Sequence, residues 1–257
     1  MKTIEQTSNH LDTLINGGSP FYFVRFGDGD LTLIQGAPNE QRHRNSVKLR
    51  QELREALQIF DLNYVVASTA GSFEDGSGSY FWIKNRVQQQ ILDGQLRHIW
   101  KLLRGNPDEG YHALIFQYAF EHKLEWFVKF IDTMFYDKKV LLVAGEPLCN
   151  SNLIEKMFNI KHTVSFTGVD NAYYALDRKM EEILDKLQTC DIILPVIGMA
   201  TRVLAKRLWK DHNIRNKSLI DIGVTMDALA EAPHRGWTQR VINEGVIEKY
   251  KKYYEVL

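Results

Sequence analysis

Short apolar runs alternate with helical patterns through the C-terminal half of the chain, and this alternation limits the fold more than any other feature. A glycine follows closely after each run; the runs are Lys139–Ala144, Thr163–Phe166, Asp191–Ile197 and Ser218–Ile222. Helical spacing of apolar residues fills the gaps, over Asn152–Phe158, Ala172–Leu187 and Thr201–Asp211. Strands that are apolar on both faces are typical of parallel sheets with helices on each side. The sequence therefore predicts an α/β fold with a mostly parallel sheet, in which Pro195 requires an edge position or a local bend.

The N-terminal half starts with the same kinds of element and then becomes helical. Phe21–Phe26 and Tyr64–Ala67 are predicted strands, and Val47–Phe60 is a predicted helix with one apolar face. From about residue 80 to residue 136 the periodicity is helical apart from one break. We therefore expect one domain over residues 1–257, with a helical insertion at about 80–136. The charged, tyrosine-rich end of the chain is expected to be a solvated helix.

Composition and charge exclude several classes of protein. Basic and acidic residues balance at 32 each, so bulk charge gives no reason to expect nucleic-acid binding. The eight histidines form no zinc-ligand cluster, and the chain has no G-x-S-x-G elbow of a serine hydrolase.

Cysteine usage and hydropathy indicate where the protein works. The two cysteines, Cys149 and Cys190, form no C-x-x-C pair, which favours a reducing compartment. The N-terminus shows no apolar signal segment, and the longest apolar runs are too short to span a bilayer. We expect a cytoplasmic protein with no transmembrane segment, and the sequence leaves a homo-oligomer open.

The triplet Asp28-Gly29-Asp30 directly follows the first predicted strand. Two carboxylates two residues apart can converge on one point if the glycine lets the chain turn, and such oxygen ligands suit Mg²⁺ or Mn²⁺. Open α/β sheets bind ligands in the crevice beyond the carboxyl ends of their strands, where this triplet is expected. Arg25, on the same strand, would reach a phosphate near the cation or form a structural salt bridge. An isolated triplet of this kind is otherwise most often a solvated turn.

A second candidate site is the turn Gly198-Met199-Ala200-Thr201, where a glycine ends a strand and a hydroxyl lies in the first turn of a helix. Unpaired backbone N–H groups and the helix dipole favour a diphosphate at such a turn. The alternative is a tight strand–helix connection capped by the threonine. Asp221, near the end of its strand, and Asp227 are candidates for binding a ribose or acting as a base.

Two segments resemble motifs of the GT-D fold glycosyltransferases, a family long called a domain of unknown function. Phe23–Asp30 is similar to the family's R-[FY]-G-D-G-E motif, with Asp30 where the family has glutamate. Val196–Ala205 is similar to its G-x-x-A-x-x-L-A segment, and Ser218–Gly223 to the D-I-G strand that follows. The family often has a histidine after D-I-G, whereas this chain has Val224.

The resemblance implies a Rossmann-like domain that binds a nucleotide-sugar, typically a UDP-sugar, with Mn²⁺ or Mg²⁺. It implies hexosyl transfer to a glycan or glycoprotein acceptor during surface polysaccharide or glycoprotein assembly. The family's metal ligands fall on Asp28 and Asp30. With the two turns above, the expected donor-binding residues are Arg25, Phe26, Gly27, Gly29, Gly198, Met199, Ala200, Thr201 and Asp221. Asp28, Asp30 and Asp75 are the expected catalytic residues, and Glu74, Glu146 and Asp227 are further candidates for the base.

Two other functions stay open from the sequence. The departures at Asp30 and Val224 suit a non-catalytic nucleotide-binding module that keeps the pocket without the chemistry. The apolar strand that ends at Gly145 resembles the first turn of an S-adenosylmethionine-dependent methyltransferase, although Gly145-Glu146-Pro147 lacks the repeated glycines of such folds.

Overall fold

The computed structural model describes residues 1–36, 46–70, 86–106, 109–168, 172–233 and 236–255. The chain divides into two compact units, Met1–Ile115 with Arg202–His212, and Phe116–Thr201 with Asn213–Leu257. Over the described ranges the strands are β1 (Tyr22–Phe26), β2 (Tyr64–Ser68), β3 (Tyr111–His112), β4 (Val140–Gly145), β5 (Ile160–Phe166), β6 (Ile192–Val196) and β7 (Ser218–Ile220). The helices are α1 (Ile4–Asn16), α2 (Asp28–Ile34), α3 (Val47–Leu57), α4 (Arg86–Arg104), α5 (Ile115–His122), α6 (Leu124–Phe135), α7 (Glu146–Cys149), α8 (Asn152–Phe158), α9 (Ala172–Leu187), α10 (Ala200–Lys210), α11 (Val224–Leu229), α12 (Gly236–Asn243) and α13 (Val246–Tyr253).

The first unit contains a parallel sheet with strand order β3-β2-β1. β1 and β2 pair in register from Tyr22 opposite Tyr64 to Phe26 opposite Ser68, and β3 continues the sheet with His112 opposite Ser68. Every residue of β1 and β2 is buried. Since side chains alternate between the two faces of a strand, complete burial means that both faces of this sheet are covered.

The block from residue 80 to residue 136 differs from the helical insertion that the sequence predicts. Residues 80–85 and 107–108 lie outside the described residues, and the remainder holds α4, β3, α5 and α6. Because β3 pairs in parallel with β2, α4 is the helical crossover that joins two neighbouring parallel strands. A strand of two residues is too short to show alternation, which is why the sequence pattern did not reveal it.

Helix α1 is a further element beyond those predicted from the sequence. A capping box starts it: Thr3 Oγ1 accepts from the Gln6 N–H, and Gln6 Oε1 accepts from the Thr3 N–H. The helix is anchored beside the sheet by Thr7, whose Oγ1 accepts a hydrogen bond of 3.0 Å from the N–H of His112. The capping box and the amphipathic spacing of this helix are both present in the local sequence, so the sequence interpretation missed an available signal.

The second unit contains a parallel sheet with strand order β7-β6-β4-β5. β4 lies between β5 and β6 and is buried along its whole length. Helix α9, which follows β5 in the chain, packs on both β4 and β5. The strand pairs within each unit are parallel and the chain alternates strands with helices, so the predicted α/β class is confirmed.

Pro195 lies in β6, which has a neighbour on each side, so an edge position is wrong. It is in register with Val143 of β4. On the other side, the pairing of β6 with β7 ends at Ile193 opposite Leu219. Pro195 therefore lies beyond the part of β6 that pairs with β7, and on that side a proline interrupts no ladder.

The end of the chain packs into the second unit, so the expected solvated helix is wrong. Tyr250 is fully buried, its ring stacks on Phe120 with centroids 4.5 Å apart, and its hydroxyl donates to the Phe120 carbonyl at 2.7 Å. Trp237 Nε1 donates to Glu121 at 3.1 Å. The sequence pattern suggested a single charged tail because this segment forms two short helices, each with its own apolar face. In the described part of the chain, no helix is long and apolar enough to cross a membrane.

Candidate functional site

The predicted metal-binding triplet forms the first turn of a helix. β1 ends at Phe26, Gly27 is the extended N-cap residue with φ −81°, and α2 begins at Asp28. Asp28 and Gly29 are half-buried, whereas Asp30 is only 4% exposed. The triplet thus lies beyond the carboxyl end of a parallel strand, where α/β sheets bind ligands, but its backbone is helical rather than a free turn.

The Asp30 carboxylate contacts a backbone amide and an arginine, both in the first unit. Its Oδ2 accepts a hydrogen bond of 2.8 Å from the Gly27 N–H, and the same oxygen lies 3.1 Å from Nη2 of Arg202 on α10. The bond to Gly27 is the carboxylate half of a capping box, which satisfies an amide that the helix itself leaves unpaired. The side chains of Asp30 and Arg202 are 5% and 11% exposed, so the two charges face each other largely out of water.

The helical turn determines how the two carboxylates can act on a cation. Residues two apart on an α-helix are separated by about 200° around its axis, so Asp28 and Asp30 leave the helix in nearly opposite directions. In the described ranges no group of three or more His, Cys, Asp or Glu side chains could hold a metal ion. Mg²⁺ typically uses one or two carboxylates together with waters and substrate phosphates. Metal ligation by Asp28 and by Asp30 therefore stays a prediction.

Arg25 is turned into the edge of the sheet. It is 8% exposed, and its Nη1 donates a hydrogen bond of 3.0 Å to the carbonyl of Ala113, just beyond β3. The N–H of Ala113 in turn donates to the carbonyl of Ser68 at the end of β2, at 3.0 Å. Arg25 therefore ties together the strand ends of this sheet, and its predicted phosphate contact stays a prediction. Phe26, beside it, is fully buried.

Three further polar residues lie at this carboxyl edge and were not predicted as site residues: Ser68, Thr69 and His112. All three are buried. The N–H of Thr69 donates to the Phe26 carbonyl at 3.2 Å, and Nδ1 of His112 accepts from the Leu114 N–H at 3.1 Å. This acceptor role places the proton of a neutral imidazole on Nε2. These residues lie close together because of the register between neighbouring strands. A single small polar residue after a strand does not reveal that register in the sequence.

The turn at Gly198–Thr201 lies in the second unit and leads from β6 into α10. Gly198 has φ +60°, a left-handed conformation that favours glycine. Thr201 is 1% exposed, and its Oγ1 accepts from the Ile197 N–H at 3.3 Å. The hydroxyl thus closes the turn back onto the strand, which is the capping role that the sequence allowed. Met199 and Ala200 are buried.

The remaining predicted residues of the second unit surround the end of β7. Asp221 directly follows β7 and is 1% exposed. The chain then turns at Gly223, with φ +63°, into α11, where Asp227 is half-buried. Glu146, at the start of α7, is exposed. Glu74 and Asp75 lie outside the described residues, so the predicted catalytic role of Asp75 stays a prediction.

Comparisons with known proteins agree with this architecture. Two solved structures of domain of unknown function 1792 match with TM-score 0.64: a selenomethionine form, 17% identical, and one described as having a distinct glycosyltransferase fold, 16% identical. Each alignment covers 95% of this chain and 81% of the other. A structure described as a new glycosyltransferase (DUF1792) from Streptococcus sanguinis matches with TM-score 0.63 at 20% identity, covering 96% of this chain and 85% of the other.

Sequence comparison identifies the family. Among curated proteins no match is found. The family model for the glycosyltransferase GT-D fold matches residues 23–241, a range that begins in β1 and ends in α12. Since this match covers most of the chain, the resemblance of the sequence motifs is confirmed, and the chain belongs to the GT-D glycosyltransferase fold family.

Proposed function

We propose that the chain is a hexosyltransferase that takes a sugar from a UDP-sugar and transfers it to a glycan or glycoprotein acceptor, with Mn²⁺ or Mg²⁺. Family membership over residues 23–241 carries this proposal. One solved relative is described as a glycosyltransferase, which agrees with it. A cytoplasmic place in polysaccharide assembly is part of the same proposal.

Asp28 would be the protein ligand of the cation. It is half-buried in the first turn of α2, beyond the carboxyl end of a buried parallel strand. A divalent cation bound there would neutralise charge on the donor diphosphate as the sugar–phosphate bond breaks. Thr32 Oγ1 donates to the backbone carbonyl of Asp28 at 2.9 Å, a bond within the helix that braces the backbone of this turn.

The N-terminus of α10 would contribute to phosphate binding. This helix has 11 residues, and its first-turn amides and dipole favour a negative charge. Thr201 would shape this turn through its bond with the Ile197 N–H and would not contact the phosphate itself. Asp221, buried after β7, would accept a hydrogen bond from the ribose.

The acceptor hydroxyl would lose its proton to a nearby carboxylate as it attacks the sugar carbon. Asp227 is the candidate that the fold favours within the described residues, because it is half-buried on the helix that follows β7. Glu146 is exposed at the start of α7. Asp75 and Glu74 remain candidates outside the described residues.

One observation favours a second function, a non-catalytic nucleotide-binding module: Asp30, where the family has a glutamate, is occupied by Gly27 and Arg202. A thermal-shift screen separates the functions. Stabilisation by a UDP-sugar that depends on Mn²⁺, followed by UDP release in a turnover assay, supports the glycosyltransferase. Binding without turnover against a broad panel of acceptors supports the module. Stabilisation by S-adenosylmethionine but not by UDP compounds would refute both and support a methyltransferase.

A further inference from the structure

We propose that Asp30 and Arg202 form a positioning pair that holds the first turn of α2, and with it Asp28, and that Asp30 is not itself a ligand of the cation. This inference rests on the proposed function, since it assigns roles within the metal site of that enzyme. It separates two carboxylates that the sequence motif presents as equivalent.

The first reason is that the Asp30 carboxylate is already in contact with two groups. One oxygen, Oδ2, already serves both the Gly27 N–H at 2.8 Å and the Arg202 guanidinium at 3.1 Å. With only 5% of the side chain exposed, water is largely excluded from the carboxylate. A cation that used this oxygen would have to displace a backbone amide that has no other partner within the helix. The other oxygen, Oδ1, is buried, so a cation could reach it only if the surrounding residues moved.

The second reason is the positive charge of Arg202. A divalent cation bound to the Asp30 carboxylate would lie within a few ångströms of the Arg202 guanidinium, because both would occupy the same small group. Like charges repel strongly where water is excluded, and arginine does not lose its proton in proteins. Asp30 is also one methylene shorter than the glutamate at this place in the family motif, so its carboxylate stays closer to its own helical turn.

The position of the pair explains how it acts on Asp28. Gly27 is the N-cap residue of α2, and Asp28 is the first residue of the helix. By accepting the Gly27 N–H, Asp30 fixes where the helix begins, and Arg202 fixes Asp30 from α10. The direction in which Asp28 leaves the chain is therefore set by a residue that need not touch the cation. Supporting residues of this kind commonly change metal affinity when they are removed.

The test is a titration of each protein with Mn²⁺ alone. Binding is measured as the decrease of the free-ion signal in electron paramagnetic resonance. The informative variants are Asp28→Asn, Asp30→Ala and Asp30→Asn. Asparagine at position 30 keeps an oxygen that can accept the Gly27 N–H but removes the negative charge with which a carboxylate ligand binds a divalent cation most strongly. The double variant Asp30→Asn/Arg202→Gln removes both charges of the pair and guards against a variant that unfolds with an unpaired arginine. Circular dichroism at the assay temperature shows that each protein is folded.

A positioning role predicts that Asp28→Asn loses Mn²⁺ binding and that Asp30→Ala weakens it by about 10-fold or more. Asp30→Asn and the double variant should bind within about threefold of the wild-type protein, because asparagine still accepts the Gly27 N–H and can hydrogen-bond the side chain at position 202 in place of the ion pair. Equal losses in Asp28→Asn and Asp30→Asn would overturn the proposal, since they would make Asp30 a ligand. Unchanged binding in Asp30→Ala would overturn it as well. If the wild-type protein binds no Mn²⁺, the metal-dependent function fails together with the proposal.

Discussion

Replacement of Arg202 by glutamine should destabilise the folded chain by about 3 kcal/mol. At the observed 3.1 Å, opposite unit charges attract by about 5 kcal/mol at an effective dielectric constant of about 20. Desolvation of both groups offsets part of that attraction, and loss of one partner of a buried pair typically costs about 3–5 kcal/mol. We expect the lower end of this range because Asp30 keeps its bond to the Gly27 N–H. For a chain of this size the melting temperature should fall by about 6–12 °C.

Urea unfolding of the wild-type protein, both single variants and the Asp30→Asn/Arg202→Gln double variant measures this energy as a double-mutant cycle. The neutral double variant should lose less stability than Arg202→Gln alone, since no charge is left buried without its partner. Arg178→Gln, at an exposed arginine of α9, is the matched control and should change stability by less than about 0.5 kcal/mol. A cost for Arg202→Gln as small as that of the control would refute the buried ion pair.

Three further predictions concern packing, turn geometry and pH. Tyr250→Phe leaves the buried Phe120 carbonyl without its hydroxyl donor, so the free energy of unfolding should fall by about 1–3 kcal/mol, as measured by urea unfolding. Gly198→Ala places a side chain at φ +60° and should destabilise by about 1 kcal/mol or more. Gly94→Ala, in mid-helix with open space around it, should instead stabilise by about 1 kcal/mol in the same assay. Burial raises the pKa of Glu52. The hydrogen bonds and charges of Arg207 and Lys206 outweigh this effect and hold the pKa of Glu52 below its usual value. The stability from Glu52 is therefore full above the unfolded pKa and lost as pH falls through the folded one, and acid titration of Glu52→Gln should lack this loss.

The sheet could be predicted from the sequence because each buried strand is a continuous apolar run between turn residues. The run Val140–Gly145 is buried at every position, and this is the pattern that a parallel strand covered on both faces requires. The helices α8 and α9 agree with the helices predicted from the sequence because their apolar residues recur regularly on one face. By contrast, β3 has two residues and is a strand only because β2 lies beside it. The packing of helix α1 beside the sheet, through the bond between Thr7 and the distant His112, has no local sequence signal, although its capping box does.

The site could be predicted only in part, for a similar reason. Strand and glycine patterns placed Asp28 beyond the end of β1. They could not show that α2 begins at that residue, which turns Asp28 and Asp30 to different sides. The partner of Asp30 is Arg202, and a contact between residues so far apart in the chain has no local sequence signal. For Arg25 the sequence predicted a phosphate contact or a salt bridge, whereas its hydrogen bond to the Ala113 carbonyl depends on where the fold places that residue.

Release of UDP from a UDP-sugar, measured with and without Mn²⁺ for the wild-type protein and for Asp28→Asn, tests the metal-dependent transfer most directly. The wild-type protein should turn the donor over only when the cation is present, and Asp28→Asn should be slower by about 100-fold or more, since it loses charge stabilisation of the transition state. Asp185→Asn, at an exposed aspartate of α9, is the control and should keep full activity. Full activity of Asp28→Asn without added metal would contradict the central claim.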